Sequence, residues 1–157
     1  MAQETNGVRP LRGTAAEILH QKGYKIFAIG PKETVYDAIV MMDKCRVGAL
    51  LVMEGDTLLG VISERDYTRK VVLLGRSSRE TLVEEIMSSK VIAVPPDMSL
   101  NECLKIVTEK AIRHLPVVKN DKVVGVLSIG DLVFTVLEQQ AETIANLNSF
   151  IGGSYPK

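Results

Sequence analysis

The chain has 157 residues, of which 46% are hydrophobic, and its 19 basic and 19 acidic side chains give a formal net charge of zero. This composition predicts one compact domain or two small subdomains with enough apolar material for a core. A balanced charge argues against a general nucleic-acid or membrane-surface binder, which normally carries a basic excess, but leaves room for a local basic pocket.

The sequence gives no sign of membrane insertion or export. No apolar run approaches the roughly 18–20 residues of a membrane span, and the polar residues 1–7 lack the apolar region of a signal peptide. We therefore expect a cytoplasmic protein. Cys45 and Cys103 are too few for a disulfide framework or a zinc site. Cys103 falls on the apolar face of a predicted helix, as expected of a core residue.

The first half of the chain alternates between helical and extended patterns. Its clearest helix begins at Thr34, which has Asp37 three residues on, as in a capping box. The apolar residues of this helix recur at helical spacing and form one stripe: Val35, Ala38, Ile39 and Met42. The predicted elements in chain order are a helix over 14–20, a strand over 25–29, the helix from Thr34, strands over 47–53 and 58–63, and a helix over 66–75.

A motif at the end of this half occurs twice. The stretch Gly60-Val61-Ile62-Ser63-Glu64-Arg65-Asp66-Tyr67 returns 65 residues on (125 minus 60) as Gly125-Val126-Leu127-Ser128-Ile129-Gly130-Asp131-Leu132. Residues 17–19 match 85–87 at an offset of 68, so the first copy carries three extra residues near Gly23. The second copy predicts a helix from Ser99, strands over 112–118 and 123–128, a helix over 131–140 and a further helix over 141–151.

An internal repeat predicts two structural units of the same kind. Each unit reads β-α-β-β-α, a mixed α/β (α+β) arrangement in which a three-stranded sheet carries helices on one face. Neither unit buries its sheet well alone, so we expect the two repeats to pack face to face through their sheets. The expected division is a flexible arm over 1–13, repeat 1 over 14–75, a connector over 76–82, repeat 2 over 83–140, and a helix and tail over 141–157.

At this point the sequence resembles a known family. Tandem units that each close on Gly-apolar-x-Ser-x-x-Asp are similar to a CBS-domain pair, also called a Bateman module, and residues 47–52 and 112–117 match its middle strand. The resemblance covers roughly residues 14–140 and is nearest to small stand-alone CBS-domain proteins. It implies a ligand sensor, not an enzyme. The implied ligand is an adenine nucleotide, AMP above all, with ADP, ATP, NAD or S-adenosylmethionine as alternatives, held in two clefts between the repeats.

Within that resemblance, the motif residues acquire chemical roles. Asp66 and Asp131 are expected to accept hydrogen bonds from the two ribose hydroxyls, and Ser63 and Ser128 to donate to ribose or phosphate oxygens. The free N–H groups of the helix turn that follows each serine attract an anion.

The remaining site residues supply an adenine slot and phosphate contacts. Phe27 with Ile62, and Ile92 with Leu127, are expected to line two apolar slots. Arg113 and His114 are the main phosphate candidates, and Lys25, Arg65 and Lys90 are weaker ones. Backbone and small side chains complete the predicted set: Ala28, Gly48, Ala49, Leu115 and Pro116. Glycines at 60 and 125 allow close approach of the chain.

The two predicted clefts are not equal. The first copy has Gly48 and Ala49 where the second has Arg113 and His114, and it has Arg65 where the second has glycine. The basic groups are therefore expected on opposite elements of the two clefts, with different affinities.

Other readings of these residues remain open. A lone aspartate at a helix start is most often a cap, a serine often bonds local backbone, and His114 can be a packed strand residue. The rival functions are a structural interaction module whose clefts stay empty and a small nucleotide-processing enzyme. The sequence lacks a phosphate loop, a dinucleotide glycine motif and a zinc-protease motif, and its two histidines and two cysteines make no convincing metal set.

The resemblance also implies partners. Family members dimerise through their helices, so we expect a homodimer whose interface includes residues 66–75 and 131–140. The candidate contact residues are Tyr67, Val71, Phe134 and Leu137. An unknown regulated protein is expected to respond to the module, membrane binding is not expected, and nucleic-acid binding is disfavoured.

Overall fold

A computed structural model describes residues 10–152, with only the main chain described for 149–152. Residues 1–9 of the predicted arm and the last five residues of the predicted tail lie outside this range. The elements are α1 (Ala15–Lys22), β1 (Ala28–Ile29), α2 (Val35–Cys45), β2 (Ala49–Glu54), β3 (Thr57–Ser63), α3 (Glu64–Tyr67), a π-helical turn (Thr68–Val72), α4 (Val83–Ile86), α5 (Leu100–Glu109), β4 (His114–Lys119), β5 (Lys122–Ser128) and α6 (Ile129–Gly152).

Hydroxyl caps begin three of these helices, as the sequence predicts. The side chains of Thr14, Thr34 and Ser99 each accept a hydrogen bond from the backbone N–H three residues on, at 3.1–3.3 Å. These bonds satisfy donors that a helix start otherwise leaves free. The helix starts therefore follow from local sequence.

The two sheets are related but unequal. In repeat 1, β1 pairs in parallel with β2, and β2 pairs antiparallel with β3. In repeat 2, β4 and β5 pair in the same register, but the first strand shrinks to a single parallel bridge between Val94 and Val117. Leu51 donates its backbone N–H to Phe27 at 3.0 Å. Its counterpart, Pro116, has no N–H to donate, so the third strand is not extended there.

The leading helix of each repeat packs against the other repeat. Ala15, Ile18 and Leu19 of α1 join the core of repeat 2, whereas Val83 and Ile86 of α4 join the core of repeat 1. Isolated bridges fix both ends of this exchange, Thr14 with Ser99 and Thr34 with Leu82. In sequence α1 leads repeat 1, but in space it completes repeat 2.

This exchange explains the paired glycines. A methyl group on Gly125 would lie 2.6 Å from the Leu19 side chain of α1, and one on Gly60 would lie 2.7 Å from the Ser88 carbonyl oxygen, just after α4. These glycines allow close approach, as expected, and the elements that approach are the exchanged helix α1 at Gly125 and the segment after α4 at Gly60.

Two predictions about helices need correction. The helices after β3 and β5 begin one residue after Ser63 and Ser128, so Asp66 and Asp131 sit in the first turn and not at the cap. Helix α6 runs unbroken from Ile129 to Gly152, because no glycine or proline interrupts it near the predicted break at 140. Within residues 10–152, no helix is both long enough and apolar enough to span a membrane.

Candidate functional site

The first Ser-x-x-Asp motif forms a reciprocal capping box at the start of α3. Asp66 Oδ2 accepts hydrogen bonds from the Ser63 N–H at 2.9 Å and from its hydroxyl at 3.0 Å, and the Ser63 oxygen accepts from the Asp66 N–H at 3.2 Å. The other carboxylate oxygen lies 3.2 Å from Lys70 Nζ, one turn along the helix. Local bonding of the serine, one of the two readings left open, is therefore present.

The second motif repeats this box and adds a partner from α1. Asp131 Oδ2 accepts from the Ser128 N–H at 2.7 Å, and the Asp131 N–H donates to the Ser128 hydroxyl at 3.0 Å. Lys22 Nζ donates to the same carboxylate oxygen at 2.5 Å and to the carbonyl oxygen of Val126 at 2.6 Å. Burial acts to raise the pKa of Asp131, but the bonds from Lys22 and Ser128 outweigh it and hold that pKa below its ordinary value.

Each motif faces a cleft built with the other repeat. The cleft beside Asp66, hereafter the Asp66 cleft, has a volume of about 580 Å³. Each repeat has an entry segment, the stretch that follows its leading helix: residues 23–27 in repeat 1 and 87–92 in repeat 2. The walls of the Asp66 cleft come from β3 and α3 of repeat 1, and from the entry segment and residues 111–114 at the start of β4 in repeat 2. The side chains that line it include Ser63, Arg65, Asp66, Lys90, Ile92, Ile112, Arg113 and His114.

The corresponding space beside the second motif, hereafter the Asp131 cleft, is smaller, at about 180 Å³. It is lined by the entry segment and β2 of repeat 1 and by β5 of repeat 2. The lining residues include Lys22, Lys25, Phe27, Ala49, His114, Val126 and Ser128. Asp131 itself does not line this cavity. Its carboxylate is capped by Lys22.

This cross-repeat pairing corrects the expected distribution of charge. Because the motif of one repeat faces the entry segment of the other, Arg65 and Arg113 line the same cleft, together with Lys90. The basic groups were expected on opposite elements of two separate clefts, and this is wrong for Arg65 and Arg113, which lie on different elements of a single cleft. The inequality between the clefts nevertheless follows, with three basic side chains concentrated beside Asp66.

The apolar slots also differ from the expected pairs. Ile62 and Leu127 are 0% exposed and lie in the two cores, so neither lines a cleft, contrary to the prediction. Successive strand residues point to opposite faces, and the neighbours Val61 and Val126 face the clefts instead. Phe27 lines the Asp131 cleft, with Lys25 Nζ 4.9 Å from its ring centroid.

The remaining predicted residues divide between cleft and core. Gly48 and Ala49 line the Asp66 cleft. Leu115 is 0% exposed and Pro116 is buried, so these two belong to the core of repeat 2 and not to a cleft surface. Ala28 pairs with Leu51 inside the first sheet.

His114 is the one ionisable residue that lines both clefts. Burial, reinforced by the charges of Lys22 and Arg113 and opposed by Asp131, lowers its pKa below the ordinary value. Burial and the two nearby cations therefore favour the neutral imidazole. It offers one donor and one acceptor, and Arg113 offers the stronger phosphate contact.

Metal and thiol chemistry find no support in the described range. Among residues 10–152, no group of three or more histidine, cysteine or acidic side chains is arranged to hold a metal ion. Cys103 is fully buried, as predicted, and burial raises its pKa to about 11, which keeps the thiol protonated.

Lys22 is the cleft residue that the sequence did not reveal. In the repeat it stands at the end of a helix, next to the three extra residues of the first copy. At the offset of 68 that relates residues 17–19 to 85–87 it matches Lys90, which lines the Asp66 cleft. The available signal was therefore the shift in offset near Gly23, which allows either Lys22 or Lys25 to be matched with Lys90.

Comparison with known proteins points in one direction. The family model of the CBS domain matches residues 15–73 and 83–138. The mitochondrial CBS domain-containing protein CBSX3 of Arabidopsis thaliana is 41% identical over 128 residues, which cover 78% of this chain and 62% of that relative. The chain thus spans less than two thirds of that relative's length. The name of this relative places it in mitochondria, and a cytoplasmic location for the present chain stays a prediction.

Solved structures show the same likeness. A candidate signal-transduction protein with CBS domains from Burkholderia ambifaria MC40-6 superposes with a TM-score of 0.77 and 47% identity, covering 82% of this chain and 96% of that one. A hexameric CBS-CP12 protein from bloom-forming cyanobacteria superposes with a TM-score of 0.68 and 26% identity, covering 78% of this chain and 70% of that one.

Proposed function

Because the chain belongs to the CBS-domain family and carries two CBS domains in tandem, we propose that it is a non-catalytic regulatory module that binds an adenine nucleotide between its repeats. AMP is the first candidate, with ADP, ATP and NAD as alternatives. Occupancy would be signalled by a change of conformation or assembly, because a ligand shifts an equilibrium only through different affinities for two arrangements.

One observation carries this proposal. The Asp66 cleft combines the two carboxylates of Glu64 and Asp66, an apolar wall and three basic side chains drawn from both repeats. Its volume of about 580 Å³ lies within the roughly 300–1,000 Å³ typical of small-molecule sites. A nucleotide has the matching parts: a sugar with two hydroxyls, a flat apolar base and an anionic phosphate.

The carboxylate of Asp66 retains capacity for a ribose. One oxygen accepts from Ser63 and the other faces Lys70, but a carboxylate has about four lone-pair positions. Lys70 does not line the cleft, so its ion pair approaches from the helix side. Ribose hydroxyls would then complete the coordination of Asp66 from the cleft side.

The rest of the Asp66 cleft would hold base and phosphate. Ile92 and Val61 offer apolar contact to an adenine ring, and Arg113 can grip a phosphate with two parallel N–H donors. Arg65 and Lys90 add positive charge nearby. These groups bind and orient a ligand, and we assign none of them a bond-breaking role.

Thermal unfolding with added nucleotide tests the proposal. A ligand at 100 times its dissociation constant stabilises the folded state by about 2.7 kcal/mol, so AMP, ADP, ATP, NAD and S-adenosylmethionine are each scanned against the buffer control. Asp66→Ala should lose most of the shift, while Lys32→Ala, at an exposed lysine that lines neither cleft, should keep it. The absence of a shift with every compound would favour the structural interaction module, and product formed on incubation would favour the enzyme.

Assembly through the helices is the second part of the proposal. Phe134 and Leu137 of α6 are 63% and 60% exposed, and Leu73 and Leu74 after the π-helical turn are 72% and 67% exposed. Large apolar side chains exposed on two helical segments are what an interface through those helices would bury. Val71 is 1% exposed and belongs to the core, so its predicted place at an interface is wrong. Leu137→Glu should shift the sedimentation coefficient from dimer to monomer, whereas Lys105→Glu should not.

A further inference from the structure

We propose that Lys22 closes the Asp131 cleft, so that the resting chain binds nucleotide at the Asp66 cleft alone. This inference rests on the proposed nucleotide function and adds its stoichiometry and control. Three features support it: the contacts of Lys22, the size of the two clefts, and the lengths of the two exchanged helices.

The contacts of Lys22 engage one carboxylate oxygen of Asp131 and a backbone carbonyl next to it. The ammonium group lies 2.5 Å from Asp131 Oδ2 and 2.6 Å from the Val126 carbonyl oxygen. The ion pair is largely sheltered, with 31% of the Lys22 side chain and 23% of the Asp131 side chain exposed. Sheltered pairs are screened less by solvent than surface ones. A ribose that bonds both oxygens of the carboxylate would compete at Oδ2 with a charged donor already in place.

The sizes of the two clefts agree with this assignment. The Asp131 cleft, with Lys22 in its wall, holds about 180 Å³, which is below the roughly 300 Å³ at which small-molecule sites begin. The Asp66 cleft holds about 580 Å³. No residue of α4 lines it, because α4 ends at Ile86 and the lining begins two residues later, at Ser88, and continues with Lys90 and Ile92.

Helix length is the physical origin of the difference. Helix α1 spans eight residues and α4 spans four. Both pack on the opposite repeat, but only α1 is long enough to carry a lysine to the Ser-x-x-Asp motif that it faces. Asp66 takes its ammonium partner from within its own helix, at Lys70. The insertion near Gly23 therefore changes one cleft and leaves the other open.

Calorimetric titration of the full chain tests the closure, with AMP and ATP as the probes. The wild type should bind one nucleotide per chain. Lys22→Met should bind two, because removing the competing ammonium raises affinity at the Asp131 cleft about tenfold or more. Lys22→Arg keeps the charge and should stay at one. Lys25→Met, which removes a lysine from the same cleft but no ion pair, should also stay at one.

A second measurement reports on the closure without any nucleotide. Limited acetylation followed by mass spectrometry should label Lys22 several-fold more slowly than Lys25, and Asp131→Asn should raise the rate at Lys22 alone. Equal labelling of the two lysines, or two nucleotides on the wild type, would overturn the closure while leaving the nucleotide function standing. If AMP and ATP bind neither the wild type nor Lys22→Met, the nucleotide function fails, and labelling still decides the closure.

Discussion

The two repeats use the same motif in different surroundings. Around Asp66, the serine box is accompanied by an open cleft with three basic side chains. Around Asp131, the same box is covered by a lysine from a helix that belongs to the other repeat in sequence. The motif alone therefore does not define a site. The entry segment and exchanged helix that each motif faces decide what can reach its carboxylate.

The largest expected effect is a difference in unfolding free energy between alanine variants of Gly60 and Gly125, the two glycines that contact the exchanged helix α1 and the segment after α4. Gly60→Ala should cost about 3 kcal/mol of unfolding free energy, at the upper end for overpacking. The added methyl meets the Ser88 carbonyl at 2.7 Å, and Ser88 is bonded in both directions to Val61, so it cannot retreat. Gly125→Ala should cost about half as much, because the group it meets, Leu19, is a side chain that can change rotamer.

Urea denaturation measures both glycine variants. Gly48→Ala is the matched control, because nothing lies closer than 3.9 Å to its added methyl, and its cost should stay within about 0.5 kcal/mol. Equal costs for the variants at 60 and 125 would mean that the two exchanged segments are equally rigid.

The next effect compares the two carboxylates. Asp66→Ala should weaken AMP binding about thirtyfold, because a hydrogen bond to a charged group contributes about 1.5–3 kcal/mol. Asp131→Ala should change the affinity of the wild-type site by less than twofold, since Lys22 already covers that carboxylate. Isothermal titration gives both values, with circular dichroism to show that the helices persist. A larger loss at Asp131 would reverse the ranking of the clefts.

A smaller effect tests whether the basic residues act in one cleft. Arg113→Ala and Arg65→Ala should each weaken ATP binding several-fold to tenfold, in line with the loss of about 1 kcal/mol from a partly exposed charged contact. Because both side chains line the Asp66 cleft, their double variant should be non-additive. Strict additivity, measured by the same titration, would indicate that the two arginines contact separate ligands.

The smallest effect concerns His114, which both clefts share. Its pKa is lowered in the folded state, chiefly by burial, so the unfolded chain binds the proton more readily. Stability should be full above the ordinary histidine value of about 6.5 and should decline as the pH falls from there through the lowered pKa. The change should be under about 1 kcal/mol per unit of pH.

His114→Asn should flatten the dependence of the unfolding free energy on pH between pH 7.5 and 5.5. Chemical denaturation at several pH values measures this dependence. Asp131 acts in a separate window. Its lowered pKa contributes stability that is present above its ordinary value of about 4 and is lost only as the pH falls below it. An unchanged slope in the asparagine variant would assign the dependence to another group.

Much of the fold could be predicted from local signals. The caps at Thr14, Thr34 and Ser99 are short-range chemistry, and the duplicated motif set the register of both hairpins. The choice of Ile62 over Val61 as a cleft residue failed because β3 is apolar on both faces, so alternation carries no information about which face meets solvent.

The missed features all depend on contacts between distant segments. Nothing near residue 15 indicates that α1 packs against residues beyond 90, and so nothing indicated that Lys22 would reach Asp131. The pairing of Arg65 with Arg113 in one cleft has the same cause. A repeat in sequence predicts two similar units, but not which unit faces which.

The exchange of α1 and α4 has a consequence for the history of the chain. The repeated unit in sequence and the unit that buries a core in space have different boundaries. A single repeat cut at the connector would therefore keep a leading helix whose packing surface lies on the other repeat. Either repeat produced alone would lack the helix that completes its core. Deleting the first twenty residues would open the distant half of the molecule, not the half to which they appear to belong.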